Sequence, residues 1–218
     1  MLETLSKNRR FVVTGLLVVF SILFLGFFPE NDRLSPAFQG LIVSLAFFLV
    51  IPLLYSKIVL RESLKNIGLQ KGNFGAGVLI GTASVILAVI LVVFLAFTFP
   101  PFRAQYVFPA LIETGFVWFV LYELVLVPFM IILYEVFFRG LVELLWLKAF
   151  GLWAVFIQTG IFLGFSYLSH DVSWQRLPFL IFCPLAGFIA YRSGSLWYSF
   201  AASWVFLFLT DIFFLVFR

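Results

Sequence analysis

A chain of 218 residues that is 64% apolar and 11% charged, with a mean hydropathy of +1.16, lacks the polar surface needed to face water. Soluble domains carry about a quarter charged residues, so the solvent of this chain is lipid, and many of its 32 Phe must face acyl chains. The net charge of +4 excludes little, because in a membrane protein the placement of charge matters more than its sum. The basic residues are loop anchors and form no patch for nucleic acid.

The longest polar stretch, 57–73, is too short for a soluble domain, so residues 1–218 read as one all-α, polytopic membrane domain. The apolar runs predict about seven spanning helices. Lys7, Arg9 and Arg10 precede a run over 11–28. At about eighteen residues it exceeds the roughly 7–15 of a signal-peptide core, and no small-residue cleavage site follows, so it reads as a retained first span. Pro29, Glu30, Asn31 and Asp32 end it in a polar turn. A second span covers 37–56, followed by the polar connector 57–73. A third span over 75–98 stops at Pro100 and Pro101, which cannot continue a helix. Residues 102–113 are of mixed character and lead into the apolar stretch 115–150. Spans over 151–170, 177–191 and 195–217 follow, with Ser193 and Gly194 linking the last two.

The distribution of Lys and Arg sets the sidedness. Lys7, Arg9, Arg10, Lys57, Arg61, Lys65, Lys71, Arg139, Lys148 and Arg192 fall on or toward one side; Arg33, Arg103, Arg176 and Arg218 fall on the other. The N-terminus is therefore predicted cytoplasmic in a multi-pass protein of the cell membrane, and seven spans put the C-terminus outside. The stretch 115–150 would extend roughly 54 Å as a helix, beyond a hydrocarbon core of about 30 Å. Pro128 is expected to kink it, and part of its N-terminal third to lie at the interface. A helix continuous to Lys148 would bring Glu135 to the depth of His170, whereas a break near Gly140 would separate them.

An ionisable group at bilayer depth costs several kcal/mol and needs a reason. Glu123, Glu135, Arg139 and His170 are the candidates. Glu135 and Arg139 stand four apart on one helical face, with Glu first, the better order for an ion pair. Glu143 continues the stripe, which leaves Arg139 open to being shared. The pair reads either as a polar clasp between helices or as part of a site. His170, the single histidine, adjoins Asp171 and a polar loop ending at Arg176, and reads either as interfacial or as a functional imidazole. Glu123 reads as interfacial. Cys183 is alone, allows no intramolecular disulfide, and is expected to be an inert packing residue.

Several chemistries fit poorly. One histidine and one cysteine cannot supply a zinc tetrad, and there is no His-Glu-x-x-His, so neither metal nor cofactor is expected. An aspartyl site would need two Asp at membrane depth, and with Asp32 and Asp171 loop-like only Asp211 remains. A serine–histidine pair would have to join His170 to Ser195 or Ser203, without the Gly-x-Ser-Gly surroundings. Transporters carry paired, Gly/Pro-broken helices in two similar halves, and Pro128 and Pro184 lack that symmetry.

The segment from Tyr134 to Gly140, Tyr-Glu-Val-Phe-Phe-Arg-Gly, resembles the Glu-Glu-x-x-x-Arg-Gly motif of the CPBP family, the CAAX-prenyl-protease and bacteriocin-processing type of intramembrane endopeptidase. Three further features resemble that family in order and spacing. Ser63 to Gly72 resembles the cytoplasmic connector before its third span. Ile157 and Gln158, opening a helix that ends in His170, resemble the segment carrying its Phe-x-x-x-His motif. Gly187 through Trp197 resembles the approach to its last motif helix. The resemblance covers about 57–211. It implies a helix bundle around a glutamate-dependent hydrolytic site in the bilayer, with a membrane peptide substrate or a membrane protein partner.

Carried over residue by residue, the resemblance matches Glu135 to the second Glu, Arg139 to the Arg, and His170 to the histidine of the second motif. Tyr134 stands where the first Glu belongs, and Ser166 where Phe-x-x-x-His has its Phe. The last motif, His-x-x-x-Asn/Asp, falls on Ser203 and Leu207, with Asp211 one helical turn further on, about 5.4 Å away. Two readings follow. In the first, the chain is a peptidase in which Glu135 and His170 activate water, Arg139 supports them, and Ser203 or Tyr134 donates to the oxyanion. In the second, hydrolysis is lost and the chain persists as a membrane scaffold, holding a partner or a lipid-like peptide in the old cavity.

Overall fold

The computed structural model describes residues 2–28, 36–106, 108, 112, 115–169, 173, 174 and 176–217. Within lipid only a helix or a closed barrel satisfies its own backbone N–H and C=O groups, and the apolar runs take the first course, with no strand among the described residues. The helices are α1 (Leu2–Gly26), α2 (36–59), α3 (Phe74–Thr98), the short α4 (Pro100–Ala104), α5 (116–150), α6 (Trp153–Leu168), α7 (Leu177–Ser193) and α8 (Leu196–Val216). Phe38–Val59, Phe74–Thr98, Phe116–Leu147 and Leu196–Val216 are long and apolar enough to cross a membrane. Phe11–Gly26, α6 and α7 are apolar but shorter.

The long helices accommodate their prolines by widened turns. In α2 the i→i+5 turn Ala46–Val50 precedes Pro52, and in α5 the same kind of turn, Tyr122–Leu126, precedes Pro128. Proline lacks the N–H of the i→i−4 bond and its ring presses on the carbonyl four residues back; a π-turn gives the ring room. The expected disturbance at Pro128 is thus a bulge inside a continuous helix, and α5 also passes through Gly140 without a break. A further π-helical stretch, Glu135–Leu144, contains no proline and carries the acidic–basic stripe.

Residues 133–144 are buried on every face. This half of α5 is the pillar of the bundle, packed by α2, α6, α7, α8 and the connector. Phe48 of α2 places its ring 4.8 Å from Phe137 and 5.3 Å from both Tyr134 and Phe165. Such ring pairs contribute about 0.5–1.5 kcal/mol each beyond area burial.

The connector is pinned to the α7–α8 turn. The Asn73 N–H donates to the Ser193 carbonyl at 2.8 Å, the Leu196 N–H to the Gly68 carbonyl at 2.9 Å, and the Gln70 side chain to the Gly194 carbonyl at 3.0 Å. Gly72, at φ +57°, makes this approach possible, because a Cβ there would meet the Ser193 carbonyl at 2.2 Å. Gly140 serves the same packing from the pillar, where a Cβ would stand 3.0 Å from the Ile67 carbonyl.

Candidate functional site

The polar residues of α5 face α7 and α8. Glu135 is 1% exposed, and its carboxylate accepts a hydrogen bond from Ser199 at 2.6 Å and a longer one from Ser203 at 3.3 Å. Arg139, also 1% exposed, holds its Nε 3.8 Å from the same carboxylate and donates through Nη2 to the Cys183 carbonyl of α7 at 3.3 Å. Glu143, one turn on, acts on the same guanidinium from further off; among the described residues only Glu135 is within ion-pair distance of Arg139. Its Oε2 lies against Gly187, where a Cβ would come within 2.7 Å of it and 2.8 Å of Gln158 Oε1. Gln158 of α6 donates to the Cys183 sulfur at 3.2 Å. α5 is thus joined to α8 through Glu135 and to α7 through Arg139, and α6 is tied to α7 beside them through Gln158.

Tyr134 points elsewhere. Its ring stacks on Phe138, with centroids 5.9 Å apart, and lines a cavity of about 340 Å³ together with Tyr106, Tyr122, Arg176, Leu207 and Asp211. Asp211 accepts a hydrogen bond from the Tyr106 hydroxyl. Tyr106 lies between the spans; burial, and then the neighbouring Asp211 charge, push its phenol far above the ordinary value, so it remains a donor. Behind Asp211 stands Glu123, 1% exposed, its side chain against the Asp211 carboxyl and its backbone carbonyl accepting from Trp204 at 2.8 Å.

Of the residues singled out in the sequence, the fold joins Glu135, Arg139 and Ser203 in one contact and sends Tyr134 to the cavity wall. His170 and Asp171 lie outside the described residues, and so does the pairing of His170 with Glu135. Glu123, expected at the interface, is enclosed between α5 and α8. Cys183 is 1% exposed, as a packing residue should be. Sequence reasoning passed over Ser199 and Tyr106, and named Gln158 only as part of the helix that leads to His170. Ser199 had a signal, since it stands four before Ser203 and shares its helical face. Tyr106 had none, because a loop has no periodicity to read.

Comparison with family models, with curated proteins and with solved structures finds no match to this chain.

Proposed function

We propose that the chain is a CPBP-like, multi-pass protein of the cell membrane that no longer hydrolyses peptides and serves as a scaffold, holding a membrane protein partner or a lipid-like peptide in its cavity. The observation that carries this reading is the engagement of Glu135. A general base must direct a free lone pair at its water. Both oxygens of Glu135 instead face Ser199, Ser203 and Arg139 at 1% exposure. The position of the family's first Glu is taken by Tyr134, on the cavity wall, and a phenol with an ordinary pKa near 10 is a poor base at neutral pH.

In this reading α1, α2, α3, α5, α6, α7 and α8 all cross the bilayer, the N-terminus is cytoplasmic and the C-terminus outside. Support comes from the docking of the connector, with Lys65 and Lys71, onto the turn that follows Arg192. Basic residues that the loop-charge rule assigns to one side meet at one end of the bundle.

The test is cleavage of a fluorogenic membrane peptide by the purified protein in vesicles, alongside affinity purification from native membranes. The expected result is no turnover above background, identical in Glu135→Gln, with a membrane protein recovered in stoichiometric amount. Turnover that Glu135→Gln abolishes would restore the endopeptidase reading.

A further inference from the structure

The cavity between α5, α7 and α8 has a chemistry of its own. Its volume of about 340 Å³ lies at the small end of the roughly 300–1,000 Å³ typical of small-molecule pockets. Tyr106, Tyr122 and Tyr134 line it with Asp211 and Arg176, and the remaining wall is apolar, Met130 and Phe179 among it. Directly behind Asp211, the two carboxyls of Glu123 and Asp211 meet, and neither Glu123 oxygen receives a hydrogen bond from an N–H or hydroxyl of the described residues.

We infer that this cavity binds a protonated or quaternary amine, with Asp211 as its counter-ion and the three tyrosines as its cage. Two carboxyls in contact share one proton, which leaves the Glu123–Asp211 pair a single negative charge to set against an ammonium. Tyrosine rings present electron-rich faces, which attract a cation within about 6 Å of the ring. An inorganic cation needs several close oxygen ligands, and most of this wall is carbon. The methyl and methylene groups of an organic ammonium fit such a wall, while its charge reaches the carboxylate. Tyr106, donating to Asp211, fixes the direction in which that carboxylate faces. A choline or ethanolamine lipid headgroup and a free amine share this ammonium chemistry.

The inference rests on the non-hydrolytic, binding role of the cavity. Its test reads binding directly, so a failure here is distinguishable from failure in the cleavage and purification experiments. Full-length protein in detergent is titrated with choline, with ethanolamine and with the neutral carbon isostere of choline, followed by thermal shift. Choline or ethanolamine is expected to stabilise the protein and the isostere to leave it unchanged, with Asp211→Asn weakening the amine by at least about tenfold. In a second arm the protein is reconstituted with phosphatidylcholine, phosphatidylethanolamine and phosphatidylglycerol, and retained lipid is identified by native mass spectrometry. Retention of the amine lipids that Asp211→Asn abolishes assigns the headgroup as the source; a response to free amine without lipid preference assigns a soluble one. Equal binding of the isostere, undiminished binding by Asp211→Asn, or no amine binding in either arm overturns the inference. Should Asp211→Asn fail to fold, Tyr122→Leu takes its place, and the comparison of choline with its isostere on the unaltered protein stands alone.

Discussion

A buried carboxylate with a guanidinium 3.8 Å away is tolerable only if its other lone pairs meet donors, and in this bundle Ser199 and Ser203 supply them. The 2.6 Å bond from Ser199 is the shorter and stronger of the two. Ser199→Ala is expected to cost about 0.6–2 kcal/mol, the range for interhelical hydrogen bonds in membranes, and Ser203→Ala distinctly less, both read from unfolding in detergent. Glu135→Ala should be worse, about 3–5 kcal/mol, because it removes the ion-pair partner of the buried Arg139 and leaves only the more distant Glu143 to face it. Replacing both partners with apolar residues, Glu135→Leu with Arg139→Met, should recover much of that loss. If the double variant is no better than the single one, the clasp is not what Arg139 depends on.

At the scale of elements, glycines set how closely the pieces approach. Gly72 and Gly151 both have positive φ, +57° and +55°, so a Cβ at either strains the backbone, and at Gly151, with ψ at −134°, the conformation lies outside even the left-handed helical region. They differ in what surrounds them. At Gly72 a Cβ would strike the Ser193 carbonyl, whereas at Gly151 nothing lies within 4 Å. Gly151→Ala is therefore expected to show the strain alone. Gly72→Ala should also release the connector from the α7–α8 turn, seen as faster proteolysis between α2 and α3. Equal proteolysis of the two variants would refute the docking role. The π-turns before Pro52 and Pro128 obey the same local logic: the proline was legible in the sequence, but whether it would bend, break or widen the helix depended on what packed around it.

For the whole molecule, helix topology can be checked with single cysteines, since Cys183 is buried at 1% exposure and should stay silent. Lys71→Cys and Arg103→Cys flank α3, which is long enough to span. A membrane-impermeant maleimide on intact cells should label Arg103→Cys and leave Lys71→Cys unlabelled until the membrane is opened; the reverse pattern would invert the N-terminus. Much of the helix layout was readable beforehand. The apolar runs 75–98 and 195–217 became Phe74–Thr98 and Leu196–Val216 almost residue for residue, because apolar length and a helix-stopping Pro or Gly are local properties. The acidic–basic stripe of α5 was equally legible. Its partners were not, since Ser199, Cys183 and Gln158 lie on other helices and no spacing rule links them to Glu135.

Composition and the placement of apolar runs were enough to establish an all-helical chain suited to lipid, with ionisable groups that had to find company inside it. Which company they found was a tertiary matter. Adjacent positions on a helix point about 100° apart, so Glu135 turns into a clasp with α7 and α8 while Tyr134 turns into a cavity. Glu123 and Asp211, 88 positions apart in the chain, become neighbours only because α5 and α8 pack side by side. Periodicity along one helix tells which residues share a face; only packing tells what that face meets.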